Sequence, residues 1–150
     1  MKNRVARVNV KYGTLVGVWG ALLASQAVFL LIVYAARPEL FNFDLSEPLL
    51  GKYPIITVLF AIAAVVVFIL SFLLRNQHIR RSVVDQNAGC VQTALVLGGA
   101  LSEISSVLGL VLAFVFDYHY FFLWIALGLV GVLSHFPRRG NLLAAGYKNV

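Results

Sequence analysis

Apolar positions along this chain fall into four long runs separated by short polar segments. The first extends from about Gly13 to Ala36 and ends at Arg37-Pro38, and the second runs from about Pro54 to Leu74 and stops at Arg75. The third covers about Cys90 to Phe116, and the fourth about His119 to Phe136, closed by Pro137-Arg138-Arg139. A helix rises about 1.5 Å per residue, so each run reaches across a hydrocarbon core of ~30 Å, the fourth near the lower limit. In lipid the backbone has to satisfy its own hydrogen bonds, so all four runs are predicted to be helices. The expected fold is an all-α integral membrane four-helix bundle, one transmembrane domain spanning residues 1–150.

The placement of charge supplies an orientation. Ten of the twelve Lys and Arg residues lie in the N-terminal segment (Lys2, Arg4, Arg7, Lys11), between the second and third runs (Arg75, Arg80, Arg81) or in the tail (Arg138, Arg139, Lys148). The other side holds Arg37 and Lys52 with the acids Glu39, Asp44, Glu47 and Asp117. The positive-inside rule then puts both termini in the cytoplasm, and the expected location is a bacterial inner membrane. Composition agrees: 61% of residues are apolar and 12% charged, against roughly 25% charged in a soluble domain. The net charge of +6 does not indicate nucleic-acid binding, because the basic residues cluster at the ends of apolar runs. They suit anionic lipid headgroups instead, at Arg75, Arg80, Arg81, Arg138 and Arg139. The first run is about twice as long as a signal-peptide core of ~7–15 residues, so it is read as a span.

The connections differ in kind. Arg37 to Tyr53 contains Pro38, Pro48, Phe41 and Phe43 and is expected to lie on the outer membrane surface, with a helical turn starting near Ser46. Asp117-Tyr118-His119-Tyr120 is short enough to make the third and fourth helices antiparallel neighbours, with Tyr118, Tyr120 and Trp124 at the outer interface. Asn76 to Gly89 reads as a polar, basic cytoplasmic loop. The depths of Ala24-Ser25-Gln26 and Leu101-Ser102-Glu103 match, which allows two tandem helical hairpins. The single cysteine, Cys90, reads as a small apolar filler. His78, His119 and His135 are scattered, so no metal site and no cofactor are expected. His135 is expected to meet water and headgroups.

Glu103 is the one ionisable side chain deep inside a run. It lies 13 residues past Cys90, about 20 Å along a helix and so near mid-membrane. A charged acid there costs roughly 2.5–3.5 kcal/mol on insertion scales, and such residues usually face the protein interior. Two readings remain open: a neutral acid that bonds helices together, or a carboxyl that binds H⁺ or Na⁺. Ser102, Ser106 and Gln26 are the companion candidates for ion binding, and a Glu103–Gln26 contact is expected. Small residues at helical spacing predict close helix packing at Gly98, Ser105 and Gly109 on the third helix. Gly17, Ala21 and Ser25 are the matching positions on the first, with Gly128 and Gly131 on the fourth.

The stretch from Ala100 to Phe114 resembles the ion-binding helix of rotary ATP synthase proteolipids, the c subunits. Glu103 is followed six residues later by Gly109-Leu110-Val111, and a basic polar segment precedes the acid-bearing helix, as in that family. The resemblance implies that Glu103 is a proton- or sodium-binding carboxylate. Against a tight ring stands the second run, Val65-Val66-Val67-Phe68-Ile69-Leu70, with no glycine from Pro54 to Leu74. The chain also resembles uncharacterised small four-helix bacterial membrane proteins that end in Phe-Pro-Arg-Arg, here Phe136 to Arg139.

The function expected is therefore a structural or accessory membrane protein, with a homo-oligomer or a membrane complex as partner. The alternative is a proteolipid-like H⁺- or Na⁺-translocating subunit. No nucleophile–base pair or metal cluster shares a common depth, so no enzyme is expected.

Overall fold

The computed structural model describes residues 2–42 and 48–146, with side chains described from Lys11 onward. Within them lie five α-helices: α1 Lys2–Ala36, α2 Pro54–Val84, α3 Gly89–Phe116, α4 Phe122–Ser134 and α5 Arg139–Gly146, with a short 3-10 turn at Pro38–Phe41. Three of them are long and apolar enough to cross a membrane, over Lys11–Ala36, Pro54–Val84 and Gly89–Phe116. The chain is thus an all-helical protein of membrane type. The expected turn near Ser46, the acids Asp44 and Glu47, and Lys148 lie outside the described residues.

Helix α3 is the hub, packed along α2, α4 and α1. Its buried positions explain why: Gly98, Gly99, Ser102, Ser105, Ser106, Gly109 and Ala113 keep its surface thin, so three neighbours can approach. Helix α2 is bulky and branched, and much of it faces outward, as at Val65, Val66 and Ile69. Such a surface is stable against lipid tails and needs no protein cover. Helices α1 and α2 share no extended interface, so the two do not form the first of a pair of tandem hairpins.

Several boundaries depart from the sequence reading. Helix α2 does not stop at Arg75 but continues to Val84, so most of the expected basic loop is helical and carries Arg75, Arg80 and Arg81. No Gly or Pro interrupts residues 55–88, and water satisfies the polar side chains once the helix leaves the apolar layer. It ends where Asp85 closes onto the Arg81 carbonyl and Gln86 takes a left-handed φ of 48°. The break before α3 is therefore only residues 85–88.

The fourth run is helical only over Phe122–Ser134, 13 residues or about 20 Å. Asp117 ends α3 in the left-handed conformation at φ 52°, and both its own N–H and the Tyr118 N–H reach back to the Leu112 carbonyl, the latter at 3.2 Å. That closure and the turn after it take up residues 117–121. At the other end Pro137 cannot continue the helix, and the chain restarts at Arg139 as α5. Leu142 and Ala145 of α5 are buried in a cluster with Leu15, Val91 and Leu95, so the tail packs onto the bundle.

Candidate functional site

Glu103 lies midway along α3, 14 residues after Gly89 and 13 before Phe116, hence about 21 Å from the start of the helix. It is half-buried on the side that meets α1, and its partner is Ser25: the Ser25 hydroxyl lies against Glu103 Oε1. One turn further along α3, the Ser106 hydroxyl donates to Gln26 Oε1 at 2.5 Å. Ser25 and Gln26 are adjacent on α1, and Glu103 and Ser106 are three apart on α3, the spacing of neighbours on one helix face. Two cross-helix bonds therefore sit side by side and fix α1 parallel to α3. The expected Glu103–Gln26 contact is replaced by this pair, because Ser25 rather than Gln26 points at the acid.

Proton accounting gives the first bond its chemistry. Ser25 Oγ also lies 2.7 Å from the Leu22 carbonyl, and one hydroxyl has one proton to donate. A neutral Glu103 satisfies both contacts at once: its O–H donates to Ser25 Oγ, whose own proton goes to Leu22. With an ionised Glu103, Ser25 meets either the acid or the carbonyl, and one contact is lost. Gln26 is only 2% exposed and its Nε2 has no partner, as is also true of the Ser105 hydroxyl, so the polar layer is not fully saturated.

Of the other candidates, Ser102 belongs to a different face. It is fully buried, donates within α3 to the Gly98 carbonyl at 2.9 Å, and packs against α4. The α3–α4 crossing is where the small residues work. A Cβ placed on Gly131 would stand 2.5 Å from Ser102 Oγ, one on Gly128 would overlap Ser106 Oγ, and one on Gly109 would stand 2.7 Å from Trp124 Cβ. A Cβ on Gly98 would meet the His135 ring at 3.1 Å. On α1 the expected packing stripe is only partly used. Ser25 faces α3, whereas Gly17 and Ala21 are exposed and nothing approaches Gly17 within 4 Å. The interface turns instead on Leu22, which lies against Gly99.

Sequence reasoning missed a second polar node. His135 is fully buried rather than exposed to headgroups. Its Nε2 is 3.1 Å from Ser71 Oγ, and Ser71 donates to the Phe68 carbonyl at 2.7 Å. With that proton committed, Nε2–H is the donor to Ser71, and Nδ1 is left buried with no partner. Trp19 Nε1 donates to the Val132 carbonyl at 2.8 Å and so tethers α1 to the C-terminal turn of α4, whose last carbonyls have no partners within the helix. The available signal was the isolation of Ser71 in an otherwise apolar stretch. Among the described residues, no three His, Cys, Asp or Glu side chains gather as metal ligands would.

At the opposite end of the bundle Arg37 pairs with both Glu39 and Asp117, tying the end of α1 to the end of α3. The hydrogen bonds to Arg37 hold both carboxyls below the usual range, and the two acids raise Arg37 further. Tyr118 donates to the Leu49 carbonyl at 2.7 Å, and burial pushes its phenol up to about 12. No protein-family model, curated protein or solved structure matches this chain.

Proposed function

We propose that this is a structural or accessory protein of the bacterial cytoplasmic membrane, in which Glu103 is a neutral helix clamp. The observation that carries this reading is the double contact of Ser25, with the Leu22 carbonyl and with Glu103, which a neutral acid alone satisfies completely. A neutral carboxyl needs no counter-charge and can stay half-buried in lipid at far lower cost than an anion. In this reading α4 and its flanking turns complete a fourth crossing, and both termini are cytoplasmic. The separation of charge supports that orientation: Lys11, Arg75, Arg80, Arg81, Arg138 and Arg139 lie toward one end of the bundle, and the Arg37–Glu39–Asp117 group toward the other. Partners would be membrane proteins or further copies of the chain.

The test is replacement of the acid. Glu103→Gln keeps a donor for Ser25 and should assemble like wild type, whereas Glu103→Ala should loosen α1. Wild-type behaviour of both variants would remove the clamp.

The second reading, an H⁺- or Na⁺-binding subunit resembling the rotary proteolipids, is favoured by one observation: Glu103 is only partly buried and is not sealed inside the bundle. Ser25 Oγ, Gln26 Oε1 and Ser106 Oγ would supply the further oxygens. Sodium-sensitive labelling of Glu103 by a hydrophobic carbodiimide, absent in Glu103→Gln, would favour it.

A further inference from the structure

We propose that Arg75 and Arg138, with Asn141, form a binding site for a phosphate group, on a phospholipid or free in solution. Arg75 lies 21 residues beyond Pro54, about 32 Å along α2 and one hydrocarbon thickness from the start of that helix. On the membrane reading above, this is headgroup level. There Arg75, Ile79, His135, Arg138 and Asn141 line one narrow, half-open cleft beside the apolar side chains of Leu15 and Leu95.

Two features distinguish this cleft from an ordinary basic surface. The two guanidinium groups are close enough for Arg138 to disfavour the charge on Arg75, and Arg75 is partly desolvated as well. Neither has a carboxylate partner among the described residues, where both ion pairs belong to Arg37. Like charges held together without a counter-ion cost energy until an anion arrives. Two guanidinium forks with an amide beside them then match a tetrahedral oxyanion. Of the neighbouring arginines, Arg80 and Arg81 line no part of this cleft, and Arg139 stacks over the Tyr12 ring at 4.8 Å. The site therefore selects Arg75 and Arg138 from the described arginines at this end.

The test uses the full-length protein, delipidated in a neutral detergent, with dioleoylphosphatidylglycerol and inorganic phosphate as separate probes. Binding is read by native mass spectrometry and by the rise in Tm. Arg75→Gln and Arg138→Gln should each weaken binding roughly tenfold or more, as loss of a charged hydrogen-bond donor does, while Arg80→Gln stays near wild type. Arg75→Lys, which keeps the charge without the fork, should fall between, and Arg138→Gln changes an exposed side chain and should not disturb folding. Binding of the lipid but not of millimolar phosphate identifies a headgroup site, and equal dependence of both probes on Arg75 identifies a free-anion site. Equal weakening by Arg75→Gln and Arg80→Gln would mean a diffuse basic surface and overturn the proposal, as would failure of wild type to bind either probe.

Discussion

Ser25 of α1 and Glu103 of α3, 78 residues apart in the chain, meet at mid-helix and share a hydrogen bond. The acid thus stands at the contact between α1 and α3. Hydrogen bonds between helices in a membrane average about 0.6 kcal/mol and reach about 1.7. A double-mutant cycle of Ser25→Ala and Glu103→Ala, read by unfolding in bicelles, should give a coupling of roughly 0.5–1.5 kcal/mol. Additive effects would mean that the two side chains do not interact.

The α3–α4 crossing should be the least tolerant surface. Gly128→Val and Gly131→Val each place side-chain atoms inside Ser106 and Ser102, and overpacking of this kind typically costs about 1–3 kcal/mol. Gly17→Val on α1 enters open space and should change stability by no more than about 0.5 kcal/mol. Thermal unfolding of the three variants side by side checks the contrast.

The Arg37 group predicts a pH dependence with a definite sign. Glu39 and Asp117 are held below their ordinary values of 4.5 and 3.8 by Arg37. Their contribution is therefore fully present above those ordinary values and is lost as pH falls through the lowered ones. Acid titration of Tm should show a loss below about pH 4 that Arg37→Gln lacks, and high salt should weaken it because the groups are exposed. Identical acid profiles for wild type and Arg37→Gln would contradict the pairing.

Orientation can be read with single cysteines on a Cys90→Ser background. Lys52→Cys should react with a membrane-impermeant maleimide added outside spheroplasts, and Arg81→Cys only after lysis. The reverse pattern would invert the topology.

How much of this was legible beforehand depends on what sets each feature. Helix existence followed from apolar length, and α3 was placed to within a residue, because Phe116-Asp117 ends one run and Gly89 begins another. The ends of α2 and α4 were not legible. A helix leaving lipid has no reason to stop until a breaker appears, so Arg75 marks the apolar boundary and Val84 the helical one. In α4 the left-handed closure at Asp117 and the proline at 137 shorten the helix from both ends, which hydropathy alone does not register. Glu103 stood out because an acid in an apolar run is costly wherever it points. Its partner did not, since Ser25 and Gln26 differ by only about 100° around α1. For the same reason Gly17 and Ala21 looked like packing residues: a small-residue stripe fixes spacing, and only the direction in which α1 leans decides whether it faces protein or lipid. His135 was misplaced because its burial depends on Gly98 of α3 and on Ser71 and Phe72 of α2 closing around the ring, a tertiary event with little local signal.

On the proposed function, Glu103 is a neutral clamp. The most direct measurement is the protonated-carboxyl infrared band assigned by difference against Glu103→Gln in nanodiscs, recorded at neutral pH with and without sodium. A protonated carboxyl band that is present and ignores sodium is the result expected here. Absence of that band, or a shift of it with sodium, would contradict the clamp and make Glu103 an ion-binding group.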